Sequence, residues 1–205
     1  MAARTKGTVP GAEPDADLRD RLTALYAEGR EIWTRFDAET RRQAWHPFIP
    51  ADYPSIERAL LPLRAPGLSF LEWGSATGVI TIMADLLGFD AYGIELDPEL
   101  VTIARGLAER HGSDARFAAG SFIPAGYRWI SPTGDHRLGT IGEGVDGYEE
   151  LGRPLDSFDV VFGYPWDGED VMMRDLFQRR GRTGARLMLR RGYDVEVSRR
   201  HPRAS

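Results

Sequence analysis

The chain has no cysteine, and a single lysine, Lys6, stands against 25 arginines. Without cysteine it can form neither disulfides nor thiolate metal sites, and a cytoplasmic location is the expectation for such a composition. Histidine is scarce as well, with four in 205 residues. His111, His136 and His201 lack the spacing of a metal site or a triad, so no metal is expected. No apolar run approaches the roughly 20 residues that a membrane-spanning helix needs, which leaves no membrane role in view. The N-terminal stretch MAARTKGTVPGAEPDAD has no apolar signal core, and residues 1–15 read as a disordered leader.

What is present fits one compact domain, since 42% of the residues are hydrophobic, enough for a sizeable core. The charge is uneven. Residues 171–205 hold ten arginines against Asp175, Asp194 and Glu196, a balance of +7, and the formal net charge of −5 leaves −12 on the first 170 residues. Such a tail can face phosphates, so nucleic acid is a possible partner. A solvated, self-neutralising face is the simpler reading, and nucleic acid is not favoured.

Along the chain, Ala16 to about Arg42 reads as a helix, with Leu18, Leu22, Leu25, Ile32, Trp33 and Phe36 near one face. WHPFIPADYP breaks it, and SIERALLPL is a shorter helix closed by Pro66 and Gly67. Residues 16–66 thus form a helical extension ahead of the main domain, residues 67–205. There, strand and helix signals alternate. Strands are expected at Leu68–Glu72, Ala91–Leu96, Ala115–Ala119, Ser157–Gly163 and Ala185–Leu189. Helices are expected at Gly78–Leu87, after Asp97 and Pro98 as cap and first turn, and at Val171–Arg180. The alternation implies an α/β fold, a Rossmann-like doubly wound and mainly parallel sheet. It is shortened at its C-terminus, where only YDVEVSRR remains for one more strand. Residues 123–156 are glycine-rich and lack periodicity, and they read as a lid-like insert.

The chemistry gathers at one turn. In an open parallel sheet, ligands sit at the carboxyl ends of the strands. A dinucleotide turn would be G-x-G-x-x-G, but from Gly74 the sequence offers Ala76 and Val79 at the next two glycine positions. It reads instead E-x-G-x-x-x-G, with Glu72, Gly74 and Gly78 around Ser75, Ala76 and Thr77. A carboxylate before the turn would repel a pyrophosphate and suits a cationic ligand. Glu95, ending the second strand, is placed to accept hydrogen bonds from two ribose hydroxyls.

LEWGSATG followed by GIELDP resembles motif I and the acidic loop of the class I S-adenosylmethionine-dependent methyltransferases, and the resemblance extends over roughly residues 68–190. It implies S-adenosylmethionine as cofactor. By this resemblance Glu72 lies near the methionine ammonium end, directly or through water, and Gly74 to Gly78 let the backbone approach. Glu95 holds the ribose and Leu96 packs on the adenine. Ser121 stands where the family often has an acidic residue reading the adenine amino group, and Phe122 is placed to cover the ring. His46 and Tyr53 are placed to fold over the cofactor. Glycine turns with strand-end acids also occur in Rossmann-like folds that bind other nucleotides.

The acceptor site of the family follows the fourth strand, here GYPWDGED. In its amino-methylating nucleic-acid enzymes this place reads Asn/Asp-Pro-Pro-aromatic. Gly163, Tyr164, Pro165 and Trp166 keep the Pro-aromatic pair and lack the polar side chain. Tyr164 and Trp166 can stack on a planar or cationic acceptor. Asp167 and Glu169 can attract a cation or take its proton; equally, DGED can be the start of the next helix. The reading is a methyltransferase acting on an N or O nucleophile of a small molecule or a protein side chain. Its rivals are an RNA methyltransferase using the arginine tail and a cofactor-binding regulatory module with no acceptor. The family's sheet usually continues past the fifth strand. The missing wall is therefore expected from the N-terminal helices, from residues 123–156, or from a second copy of the chain, as a homodimer.

Overall fold

The computed structural model describes residues 13–40, 48–129, 144–166, 168–192 and 194–201. The first helix, α1, is Ala16–Thr40, and Asp15 starts it by accepting the Leu18 N–H at 2.9 Å. Asp15 is therefore a helix cap and not part of a leader. After the break comes α2, Tyr53–Leu60, with a proline in its first turn and a single 3-10 turn behind it.

The strands are β1 Ser69–Trp73, β2 Asp90–Glu95, β3 Arg116–Ala119, β4 Val160–Gly163, β5 Arg186–Arg191 and β6 Asp194–Arg199. They form a sheet in the order β3-β2-β1-β4-β5-β6. The first five run parallel, and β6 returns antiparallel to β5. The α/β fold matches the expectation, with YDVEVSRR supplying β6. The connecting helices are α3 Val79–Leu86, α4 Pro98–Arg110, α5 Gly147–Leu151 and α6 Glu169–Arg180. Helix α4 starts as its sequence requires, with Asp97 accepting the Glu99 N–H at 2.8 Å and proline in the first turn.

Because strand side chains alternate, the sheet divides the interior into two cores. Phe70, Ala91, Phe117, Val160, Phe162 and Met188 pack against α1 to α4. Leu71, Trp73, Ile94, Val161, Leu187 and Leu189 pack against α6 and the segment leading out of β3. Gly29 lets α1 lie close to α3, since a Cβ there would sit 2.6 Å from Val79 Cγ2. Helix α2 packs on α3 and also touches β6.

The expected lid at residues 123–156 is corrected at both of its described ends. Residues 144–157 are built into the body. Val145 accepts from Ser121 N, Asp146 forms a parallel bridge with Ser121, and α5 lies along β3. Tyr148, inside the expected insert, is buried, and its hydroxyl accepts from Trp73 Nε1 at 2.8 Å. Tyr127 is likewise buried and donates to Asp175 on α6 at 2.8 Å. Buried polar groups need partners, and these two tyrosines and Trp73 find them only inside the protein. Ile130 and residues 131–143 lie outside the described residues.

Candidate functional site

Reversal of strand order on either side of β1, which pairs with β2 and β4, opens a crevice at their carboxyl ends. Glu72 is the fourth of five residues of β1, and alternation directs it with Phe70 towards α3. It is 3% exposed. Its Oε2 accepts from the N–H and the hydroxyl of Thr81, at 2.9 and 2.5 Å. Thr81 is the third residue of α3, so Glu72 holds one of the N–H groups that a helix start leaves unpaired. Burial pushes its carboxyl up to about 8, with the charge of Glu95 adding to the effect and the Thr81 bonds opposing it.

The turn after β1 folds back onto β2. Gly74 N and Ser75 N both donate to Ile94 O, at 2.9 and 3.0 Å. Gly93 makes the approach possible, because a Cβ there would lie 2.7 Å from Ser75. Gly78, with φ of 78°, ends the turn beneath Phe117, whose ring a Cβ would meet at 2.6 Å. Gly74, with φ of 70°, differs: a Cβ there would meet no protein atom within 4 Å. Space beside that backbone is open. Ala76 has φ of 45°, a left-handed conformation that glycine adopts more readily. Ser75 and Thr77 are buried, and Ser75 Oγ has no hydrogen-bond partner among the described residues.

Glu95, at the end of β2, secures this turn. Its Oε2 accepts from Ala76 N at 2.8 Å and its Oε1 from Asp97 N at 3.0 Å. Burial raises its ionisation, with those backbone bonds opposing. A carboxylate offers about four lone-pair sites, so further acceptor capacity remains for a ligand. Beyond β3, Ser121 Oγ accepts from Ile123 N at 3.1 Å, and Leu96 lies close to Gly144. Phe122 stacks on Trp73 at 5.2 Å and is 3% exposed, which makes it a core residue of the α6 side.

Across the crevice, Phe48, Ile49, Ala51 and Tyr53 face Glu72, the glycine turn and Tyr164. Residues ahead of β1 thus form one wall of the crevice. Phe36 of α1 holds Phe48 edge-on at 5.5 Å, and Trp33 donates to Phe48 O at 3.4 Å. Tyr53 stacks on Tyr26, and burial raises its phenol to about 12, with the charge of Glu72 adding to the effect. His46 lies outside the described residues. Trp166 N donates to Glu169 Oε2 at 2.9 Å and Trp166 O accepts from Glu169 N at 3.0 Å. Glu169, the first residue of α6, is 1% exposed, and its carboxylate fixes the backbone of Trp166. Asp167 lies outside the described residues. Among those described, no group of three or more His, Asp or Glu stands together as a metal site, and no helix is long and apolar enough to cross a membrane.

No family model matches the chain. It is 38% identical over 91 residues to the Homo sapiens lysine N-methyltransferase that is named for the C component of ATP synthase, covering 44% of this chain and 37% of that protein. It is 32% identical over 99 residues to the ribosomal protein L11 methyltransferase of Thermus thermophilus, covering 40% and 39%. The match therefore spans well under half the length of these curated relatives. An RNA methyltransferase from Salinibacter ruber, solved with S-adenosyl-L-homocysteine, superposes with a TM-score of 0.50 at 20% identity, over 69% of this chain and 76% of that one. That likeness shows the fold. Over these stretches the chain is similar to S-adenosylmethionine-dependent methyltransferases, and its fold is that of the class I enzymes.

Two residues that support the crevice from behind, Thr81 under Glu72 and Arg190 against Tyr164, escaped the sequence reading. Thr81 was visible only as the one hydroxyl in the apolar run VITIM. Arg190 was hidden among the arginines of the tail, although it alone of Arg174, Arg179, Arg182, Arg190 and Arg191 is buried.

Proposed function

We propose that this chain transfers a methyl group from S-adenosylmethionine to a nitrogen or oxygen nucleophile of a protein side chain or small molecule, with a protein amine favoured. The observation that carries the reading is a pair of carboxylates, Glu72 buried and Glu95 half-buried, flanking a turn that leaves open space at Gly74. A buried carboxylate with a raised ionisation is stabilised by an arriving cation, whereas a pyrophosphate would meet two like charges.

When bound, the cofactor supplies an electrophilic methyl group on a sulfonium centre. Glu72, braced by Thr81, faces its ammonium. Glu95 uses its remaining lone pairs for the ribose hydroxyls while its bonds to Ala76 and Asp97 keep the turn in place. Ser75, Ala76 and Thr77 line the backbone approach, and Leu96 and Ser121 flank the adenine. On the acceptor side Tyr164 presents an aromatic face, Asp167 supplies negative charge, and Glu169 positions Trp166 by accepting its N–H. Proximity and alignment are the main contributions such a site makes.

A protein acceptor is supported by the names of the two relatives, a lysine and a ribosomal protein methyltransferase. Nucleic acid is less favoured because arginines of the tail are engaged within the chain: Arg174 and Arg191 with Glu196, Arg179 with Asp175, and Arg182 with Asp159. Action in the cytoplasm as a single domain with an N-terminal extension completes the reading.

Calorimetry with S-adenosylmethionine, S-adenosylhomocysteine and NAD tests the cofactor, and binding of NAD alone refutes the proposal. Labelled S-adenosylmethionine in a cell extract tests the activity. Absence of any labelled product leaves only a binding module. If label enters tRNA and not protein, with binding that weakens steeply in salt, the RNA reading replaces this one.

A further inference from the structure

Arg190 is a cation without an assigned task. It is the fifth of six residues of β5, and its strand neighbour Leu189 is in register with Gly163, the last residue of β4. Arg190 therefore stands level with Tyr164, at the carboxyl edge where the acceptor side of the crevice begins. Its guanidinium carbon lies 5.5 Å from the centre of the Tyr164 ring. Only 6% of the residue is exposed. Nε donates to Gly192 O at 2.7 Å, while Nη1 is buried with no hydrogen-bond partner among the described residues.

The contrast with its neighbours is informative. Arg174, Arg179, Arg182 and Arg191 point their charges into exposed ion pairs. Among the described residues Arg190 makes no such pair. Asp52 feels its charge, but the Asp52 carboxylate is exposed and already accepts from Ser55 at 2.5 Å. A guanidinium is always charged and presents a planar fork that fits a carboxylate. Burying one with a donor unused is unfavourable unless something else satisfies it. Tyr164 faces the cleft and backs onto Arg190, and Arg190 itself does not line the cleft beside the glycine turn.

We propose that Arg190, stacked against Tyr164, receives a carboxylate of the methyl acceptor, so that acceptors carry an acidic group close to the nucleophile that is methylated. This rests on the methyltransferase reading above. The acidic group can belong to a small amino-acid-like acceptor or to a residue flanking a modified side chain in a protein.

The experiment uses the full chain saturated with S-adenosylhomocysteine and titrates two pairs of probes. The first pair is N-acetyl-lysine, which has a free carboxylate, and its methylamide, which has none. The second is the peptides Ac-Glu-Lys-Glu-amide and Ac-Gln-Lys-Gln-amide. In the native chain at least one acidic probe should bind tenfold or more tightly than its neutral partner. The first pair responding alone identifies a small acceptor; the second alone identifies an acidic protein flank. In Arg190→Gln the preference should vanish while S-adenosylhomocysteine affinity changes less than twofold, and Arg190→Lys should keep part of the preference. No preference in the native chain overturns the inference without need of any variant. A tenfold or greater loss of S-adenosylhomocysteine affinity in Arg190→Gln also overturns it, because the carboxylate received would then be the cofactor's own. Failure of the native chain to bind S-adenosylhomocysteine at all would instead defeat the methyltransferase reading, which keeps the two failures apart.

Discussion

Glu72 couples cofactor binding to pH in a calculable way. Its carboxyl ionises near 8 in the folded, ligand-free chain, against an ordinary value of 4.5, because burial disfavours the charge. The folded state therefore holds this proton more tightly than the unfolded state. The resulting stability is fully present below about pH 4.5 and is lost as pH rises towards 8. A cationic ligand has the opposite preference, since it favours the ionised carboxylate. If Glu72 is ionised in the complex, binding must first remove the proton, and apparent affinity falls by the factor 1 + 10^(8 − pH). That factor is about 100 at pH 6 and about 2 at pH 8, so affinity should rise roughly fifty-fold, about 2 kcal/mol, between them. Calorimetry with S-adenosylhomocysteine at pH 6, 7 and 8 measures the rise. Repeating it in two buffers of different ionisation heat counts the proton released. Glu72→Gln keeps an oxygen for Thr81 and cannot ionise, so its profile should be flat. A flat profile in the native chain, or an unchanged slope in Glu72→Gln, would refute the placement of a cation at this carboxylate.

Four further outcomes are expected. Glu95→Ala leaves the Ala76 and Asp97 N–H groups without their acceptor and removes a ribose contact; S-adenosylhomocysteine affinity should drop by about 1–3 kcal/mol and the thermal midpoint should fall with it. Gly74→Val should abolish cofactor binding, because its side chain enters space that no protein atom occupies, and should also lower the thermal midpoint, because φ of 70° strains a branched residue; normal affinity in the variant would refute the placement of the cofactor at this turn. Ala76→Gly relieves a left-handed alanine and should stabilise the ligand-free chain by up to about 1 kcal/mol in urea denaturation. Tyr148→Phe strands the buried Trp73 Nε1–H and should cost about 1–3 kcal/mol of stability, with cofactor affinity per folded molecule unchanged.

The parallel sheet was legible from the chain because its signals are local. Short apolar strand runs, a proline and aspartate at the start of α4, and glycines at the turn each act within a few residues. Glu72 and Glu95 could likewise be picked out, since a carboxylate ending an apolar strand is conspicuous. Their full roles could not. That Glu72 braces α3 through Thr81, nine residues on, and that Glu95 pins the turn at Ala76, nineteen residues back, depends on strands meeting side by side. At the described ends of residues 123–156 the lid expectation gave way for the same reason. Tyr148 reads as a mobile aromatic until Trp73, seventy-five residues away, is found donating to it. Local composition distinguishes a glycine-rich segment from a helix, but it carries no information about which distant donor needs an acceptor.

Glu169 shows the converse, a residue with two local readings. The sequence offered it as a base or as the start of a helix, and the structure makes it the buried first residue of α6, bonded to Trp166 N. The arginines of the tail look alike as residue types, yet β5 buries Arg190 while its neighbours reach solvent and ion pairs. By itself the sequence determined the alternation of strands and helices, the E-x-G-x-x-x-G turn and the carboxylate ending β2, because each is a short-range pattern with a direct steric or electrostatic cause. Only the tertiary structure decided which of many similar charges are buried, since burial is a property of what the rest of the chain stacks against a residue and not of the residue's neighbours in sequence.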